Sequence, residues 1–109
     1  MADVGIIQYG VYWVHFNLPT SSETAKTKPC VIVSPDELNK HLNTVIIIPI
    51  TSIINNYRYR VQCCVDSRTG EIATDRIKSL DKSRIKKFIG KLSDAEIEQL
   101  KSVLLDMFR

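Results

Sequence analysis

The hydrophobic and polar positions of the chain alternate in short runs that are typical of a small β-sheet domain. Apolar and β-branched residues concentrate in segments of strand length, and turn-forming residues separate these segments. We predict strands over residues 5–16, 29–33, 44–50 and 59–65, and one or two short strands within 71–80. The first segment contains Gly10, where a bend or a bulge costs little.

The polar segments between these strands predict loops and single turns. Residues 17–27 form a polar loop, and residues 55–56 and 67–70 form turns. Residues 36–41 make one helical turn, with Ser34 or Asp36 as its cap and Pro35 placed for entry. Asp81 caps another single turn over residues 83–85.

The C-terminal segment carries the clearest helix pattern. Ser93 and Glu96 have the spacing of a capping box, which predicts a helix that begins just after Ser93. Apolar residues then recur at helical spacing and predict one buried stripe: Ile97, Leu100, Val103, Leu104, Met107 and Phe108. Short strands followed by a closing helix predict a small closed or half-open barrel in a single domain, residues 1–109.

Composition supports an ordinary globular domain. The chain has 109 residues, 44% of them hydrophobic and 25% charged, and neither a membrane-length apolar run nor the pattern of a signal peptide stands out. We therefore expect a cytoplasmic protein without a membrane association. Cys30, Cys63 and Cys64 show no metal-binding or redox spacing, so we expect reduced thiols and no metal site.

Charge is mild overall but uneven along the chain. The net charge is +3, and the segment 76–91 carries seven lysines and arginines. Such a cluster can follow a nucleic-acid backbone, and it is equally typical of a solvated surface. Charge alone leaves both interpretations open.

The usual catalytic patterns are not evident in the sequence. The four glycines are scattered, His15 and His41 are isolated, and Asp75 and Asp81 are too far apart in sequence to argue for a dyad. The polar loop that leads into residue 29 and the strand end at residues 49–52 remain as places for chemistry, because loops on a rigid barrel concentrate binding groups.

Several motifs in register resemble one toxin family. They are Tyr12-Trp13-Val14 followed by Pro19-Thr20, Glu23-x-x-Lys26-x-Lys28-Pro29-Cys30-Val31-Ile32-Val33, Pro49-Ile50-Thr51-Ser52, Asp75-Arg76-Ile77-Lys78-Ser79-Leu80-Asp81-Lys82-Ser83-Arg84-Ile85 and Ile89-Gly90-Lys91-Leu92-Ser93. In this order, from about residue 9 to residue 104, the chain resembles the MazF/PemK (Kid-like) toxins of type II toxin–antitoxin systems, the mRNA interferases.

The resemblance implies a fold, an activity and partners. The fold is a small SH3-like antiparallel β-barrel with a C-terminal helix, the MazF/CcdB-type toxin fold, assembled as a homodimer. The activity is sequence-specific cleavage of single-stranded RNA, in which the ribose 2′-hydroxyl attacks the adjacent phosphate without a metal or a cofactor. The other partner is a cognate MazE-like antitoxin, whose acidic flexible tail covers the RNA groove.

The resemblance also implies site residues. Cleavage needs a group that takes the 2′-hydroxyl proton, a group that protonates the departing 5′-oxygen, and cations that stabilise the phosphorane. The positions that match the family's catalytic arginine and threonine are Lys28 and Thr51. The residues implied in RNA binding are Glu23, Lys26, Ser52, Asp75 and Arg84.

Lys28 is a departure from the family, which carries arginine at this position. Lysine keeps the positive charge but lacks the planar fork that contacts phosphate at two points. Two other hypotheses therefore stay open: a CcdB-like gyrase poison that cuts nothing, and a weakly active subunit that acts through its antitoxin complex. The site residues also have structural interpretations, since Thr51 and Ser52 can make turn hydrogen bonds and Arg84 can anchor the terminal helix.

Overall fold

The described part of the chain folds as one twisted antiparallel sheet that curls into a half-barrel and is closed by a helix. A computed structural model describes residues 5–16 and 26–109. Its elements are β1 (Gly10–Phe16), β2 (Lys26–Ile32), α1 (Asp36–His41), β3 (Thr44–Thr51), β4 (Val61–Val65), β5 (Arg68–Ile72), β6 (Lys78–Asp81), β7 (Ile85–Lys91) and α2 (Asp94–Phe108). The predicted β-barrel class with a C-terminal helix is confirmed.

The sheet has seven strands in the order β4-β5-β3-β2-β1-β7, and β6 pairs with the other half of β3. Every strand pairing in this sheet is antiparallel. Successive side chains of a strand point to opposite faces, so the curled sheet buries two apolar clusters. The first cluster contains Val11, Val31, Ile48 and Leu100, and the second contains Tyr12, Cys30 and Ile47 among others.

The central strand β3 changes partners along its length, and this change opens a gap in the barrel. Its first half pairs with β6, and its end, Ile50 and Thr51, pairs with β5. Its pairing with β2 stops where Cys30 faces Pro49, so the first residues of β2 pair with β1 alone. Gly70 lets β5 approach the end of β3, because a Cβ at this position would lie 2.9 Å from the Thr51 carbonyl oxygen.

Helix α2 begins as predicted. The Ser93 hydroxyl accepts from the Glu96 amide, and the Glu96 carboxylate accepts from the Ser93 amide, which completes the capping box. Leu100 is fully buried and Ile97, Val103 and Leu104 pack around it. The predicted stripe is wrong at its end, because Phe108 is 68% exposed, beyond the area that the sheet covers.

Three local predictions need correction. The turn predicted at residues 67–70 is wrong, because the hairpin turns at Asp66 and Ser67, both with positive φ, and β5 already begins at Arg68. The segment 85–91 is a strand that the sequence pattern did not identify. Helix α1 lacks the predicted side-chain cap, because the Ser34 hydroxyl instead bonds the Asn39 side chain and the Ile46 amide.

The Asp81 cap is confirmed, since its carboxylate accepts from the Ser83 amide. Adjacent Cys63 and Cys64 lie on opposite faces of β4, and all three cysteines are free. Burial raises the pKa of the Cys30 and Cys63 thiols to about 12, so both stay protonated. Among the described residues, no helix has the length and apolar character that crossing a bilayer would require.

Candidate functional site: a cationic groove at the end of β3

A groove of about 400 Å³ lies where β3 parts from β2. Apolar side chains form much of its lining: Val11, Trp13, Pro29, Ile50, Val65 and Ile89. Polar and cationic residues line it as well: Lys28, Thr51, Ser52, Arg68, Thr69 and Arg76. An apolar lining with cations is suited to a ligand that has both flat rings and anionic groups.

Lys28 and Thr51 both line this groove. The last β2–β3 pair is Cys30 and Pro49, and Lys28 lies two residues before Cys30 while Thr51 lies two residues after Pro49. Side chains two residues apart on a strand project from the same face, so both residues lie on the face of this last pair, at the point where the strands part. Thr51 is half-buried, and its hydroxyl oxygen accepts from the Ile53 amide at 3.1 Å, which leaves the hydroxyl proton for a ligand.

The Lys28 ammonium lies over the ring of Phe16, with Nζ 5.6 Å from the ring centroid. A second ammonium, that of Lys78 on β6, lies 5.3 Å from the same centroid. Within residues 5–16 and 26–109, neither ammonium has a carboxylate within ion-pair distance. These two lysines therefore present positive charge that the described residues leave without a counter-ion.

Two arginines and a tryptophan extend the site beyond the sequence prediction. The Arg68 guanidinium carbon lies 5.3 Å from the centroid of the half-buried Trp13 ring, a cation–π contact inside the groove. Arg76 lines the same groove. Arg76 belongs to the basic segment noted in the sequence. Arg68 was not identified as a site residue, because the sequence pattern placed it in a turn at residues 67–70.

Asp75 is separated from the groove by an ion pair. Arg60 donates from Nε and Nη2 to the two Asp75 carboxylate oxygens at 2.9 and 3.2 Å. The Arg60 hydrogen bond lowers the pKa of Asp75 below its ordinary value. Asp75 is not among the groove residues, so the structure does not join it to Lys28 and Thr51.

Arg60 also bonds the buried Glu71, donating from Nη1 at 3.1 Å. The Asn55 and Asn56 amides donate to the other Glu71 oxygen at 3.2 and 2.9 Å. Burial acts to raise the pKa of Glu71, but these hydrogen bonds outweigh it and hold the pKa below its ordinary value. The carboxylate therefore fixes the loop that follows the end of β3.

The remaining predicted residues are dispersed. Ser52 lines the groove, whereas exposed Lys26 is not part of the lining. Arg84 lies in a separate small cleft with His15, Ser83 and Lys86. Glu23 lies outside the described residues. Within the described ranges, no three His, Cys, Asp or Glu side chains are grouped as a metal site.

The fold and the groove together define a class of protein: a small antiparallel half-barrel whose cationic groove suits an anionic, ring-bearing chain. A profile of the family described as PemK-like, MazF-like toxin of type II toxin–antitoxin system matches residues 7–108. The chain belongs to this toxin family.

Similar proteins agree with this assignment. The chain is 27% identical over 100 residues to Endoribonuclease MazF of Staphylococcus saprophyticus, with 86% of this chain and 83% of that protein covered. Its fold is similar to MazE-MazF of Deinococcus radiodurans, with a TM-score of 0.86, 19% identity and 97% of each chain covered. It is also similar to a mycobacterial endoribonuclease in complex with its cognate antitoxin, with a TM-score of 0.75, 22% identity, and 95% and 93% of the two chains covered.

Proposed function

We propose that this toxin is an endoribonuclease that cleaves single-stranded RNA at specific sequences and without a metal. The ribose 2′-hydroxyl releases its proton to solvent water and its oxygen attacks the adjacent phosphorus. The bond to the 5′-oxygen breaks as that oxygen is protonated, and a 2′,3′-cyclic phosphate and a 5′-hydroxyl result. The observation that carries the proposal is that Lys28 and Thr51 both line one groove. Membership of a family with a named endoribonuclease supports it.

The two residues have different tasks in this reaction. The Lys28 ammonium offsets the negative charge that develops on the phosphorane, and it supplies the proton that the departing 5′-oxygen needs. The Thr51 hydroxyl donates to a non-bridging phosphate oxygen, which orients the phosphorus toward the 2′-oxygen. Ser52, next along the chain, contacts RNA from the same groove.

The groove favours an unpaired strand as substrate. Trp13 offers a ring face on which a base can stack, and Arg68 and Arg76 supply cations for neighbouring phosphates. A base that stacks in a groove must first be unstacked from a duplex, which makes duplex RNA a poor substrate. Base identity is then selected by polar residues along the groove, and this is the source of sequence preference.

The positive charge of the groove also bears on the antitoxin partner. A MazE-like antitoxin with an acidic segment complements the cations of the groove and competes with RNA for them. Two of the similar structures are complexes, one of a mycobacterial endoribonuclease with its cognate antitoxin and one of MazF with MazE, and they support an antitoxin partner. We further propose that the toxin acts as a homodimer in the cytoplasm, the compartment of its RNA substrate.

The direct test incubates the purified chain with a long single-stranded RNA in EDTA and sequences the cut ends. We expect cleavage at a short recurrent motif, and none when the sugar at the cut is 2′-deoxy. Absence of cleavage by the wild type under any condition, with inhibition of gyrase instead, would favour a CcdB-like poison.

Variants at Lys28 test the site itself. We expect Lys28→Ala to lose at least about 100-fold in the cleavage rate, the usual cost of removing one group that stabilises transition-state charge. Lys28→Arg should keep or raise the rate. Lys101→Ala on α2, where exposed Lys101 forms an ion pair with Glu98 at 3.5 Å, is the charge-matched control. Equal rates for Lys28→Ala and the control would remove Lys28 from the site.

A further inference from the structure

We infer that Lys78, which lies beside the groove, is a second phosphate-binding residue, and that it shares one phosphate with Lys28 next to the Phe16 ring. The inference rests on the proposed ribonuclease function and adds a substrate contact to it. The observation behind it is the convergence of two ammonium groups from different strands on one aromatic side chain.

The topology explains why these two lysines meet. Lys28 is on β2, two residues before Cys30, so its side chain projects from the same face as Cys30. Lys78 is on β6 directly opposite Ile47 of β3, and Ile47 belongs to the same buried cluster as Cys30. Both side chains therefore leave the sheet on one face. Phe16, partly buried against that cluster, lies between them.

The distances place both ammonium groups near one aromatic ring. Each ammonium nitrogen lies within 5.6 Å of the Phe16 centroid, so the two nitrogens are at most 10.9 Å apart, the sum of the two distances. Both lysines are exposed, and a lysine side chain has four rotatable bonds in its stem. Rotation about these bonds can bring both ammonium groups to oxygens of one phosphate.

The charge balance favours an anion at this place. Two like charges that share one ring repel each other, and no described residue supplies a carboxylate to offset them. The negative ring face compensates part of this repulsion, and a phosphate compensates more. The phosphorane gains most, because it carries more negative charge than the ground-state diester.

The pair also replaces a contact that one lysine cannot make. An arginine presents two parallel N–H groups to a phosphate, whereas a lysine presents a single charged point. A second ammonium from β6 restores the second contact. Lys78 thus acts with Lys28 where a guanidinium would act alone.

The test separates charge from packing at position 78. Lys78→Met keeps an apolar stem over Phe16 but removes the charge, and Lys78→Arg keeps the charge. Lys101→Met is the matched control. Each variant is assayed as the full chain for cleavage of a short single-stranded RNA in EDTA, for binding of the same oligonucleotide with a 2′-deoxy sugar at the cut as a function of salt, and for thermal stability.

We expect Lys78→Met to lower kcat/KM about 10-fold, because a charge-assisted contact to phosphate is lost. Lys78→Arg should keep kcat/KM near the wild-type value, because it keeps the charge. The log–log dependence of binding on salt should become shallower by about 0.7 in Lys78→Met, the value of one phosphate contact to a single strand. The control should change neither. If Lys78→Met cleaves and binds as the control does, the inference is overturned, whatever its melting temperature.

A double variant tests whether the phosphate is shared. In the Lys28→Arg background, Lys78→Met should cost clearly less than 10-fold, because the guanidinium already makes two contacts. An equal cost in both backgrounds would assign Lys78 to a different phosphate and overturn the sharing. A wild type that cleaves no RNA overturns the proposed function together with this inference, whereas cleavage that is insensitive to Lys78→Met overturns the inference alone.

Discussion

Two groups of charged side chains lie near the end of β3, and they differ in how their charge is satisfied. Arg60 bonds both Glu71 and Asp75 at distances of 2.9 to 3.2 Å, and backbone amides complete the coordination of Glu71. Lys28 and Lys78 share a ring and, among the described residues, have no acidic partner. The first group pairs its charges internally and keeps one excess negative charge, whereas the second group has two positive charges and no described acidic partner.

This difference in charge pairing indicates two roles: the Arg60 group supports the fold, and the lysine pair binds a ligand. Glu71 faces Thr51 directly across the β3–β5 pair, so the ion-paired group fixes the strand end that carries the Thr51 hydroxyl. The lysine pair lies on the opposite flank, toward β1 and β6, where charge without a counter-ion costs stability but attracts a ligand. Comparing variants of the two groups tests this division of roles.

The largest effect on stability should come from Arg60→Met. The change leaves the buried Glu71 carboxylate without its ion-pair partner, and the Arg60 side chain is itself only 8% exposed. We expect a loss of about 3 kcal/mol in the free energy of unfolding, measured by urea denaturation. Arg58→Met removes a neighbouring arginine whose guanidinium carbon lies 4.9 Å from the Tyr59 ring centroid, and it should cost far less. Equal losses of unfolding free energy in Arg60→Met and Arg58→Met would show that the Arg60 ion pairs do not stabilise the fold.

A smaller effect should appear in the pH dependence of stability. The pKa values of Glu71 and Asp75 lie below their ordinary values of 4.5 and 3.8 in the folded chain. A lowered folded-state pKa stabilises the fold fully above the ordinary value, and this contribution is lost as the pH falls through the folded-state pKa. The stability difference between wild type and Arg60→Met should therefore be constant above about pH 5 and shrink below pH 4. A difference that stays constant to pH 2 would contradict these pKa shifts.

The smallest effect on stability should come from the lysine pair. Lys28→Ala and Lys78→Met each remove one of two mutually repelling charges from an exposed site. We expect the free energy of unfolding to change by less than about 0.5 kcal/mol, with any change in the stabilising direction. A destabilisation as large as that of Arg60→Met would show that these lysines hold the fold together.

The sequence predicts those parts of the molecule that depend on neighbours along the chain. The Ser93–Glu96 capping box and the Asp81 cap are short-range hydrogen bonds, and both form as predicted. The strand at residues 44–50 is recognised because its apolar run is long enough for a buried strand. The match of Lys28 and Thr51 to a family motif indicates the place of the groove.

What the sequence did not predict depends on long-range partners. The change of β3 from one partner strand to another is fixed by its register with β5 and β6, for which no local signal exists. Apolar and polar residues do not alternate regularly along β7, because several of its residues are basic. The segment therefore forms a strand through its pairing with β1 rather than through a local pattern. The assignment of Asp75 to RNA binding could not anticipate Arg60, which lies 15 residues away along the chain.

The capping box of α2 has a consequence for solubility. Strand β4 is at one end of the sheet, where free backbone groups invite pairing with another molecule. The second oxygen of Glu96 accepts from the Cys64 amide at 2.8 Å, so one carboxylate both starts the helix and occupies a donor of the edge strand. Damage to this cap would first be seen as concentration-dependent aggregation of otherwise folded protein.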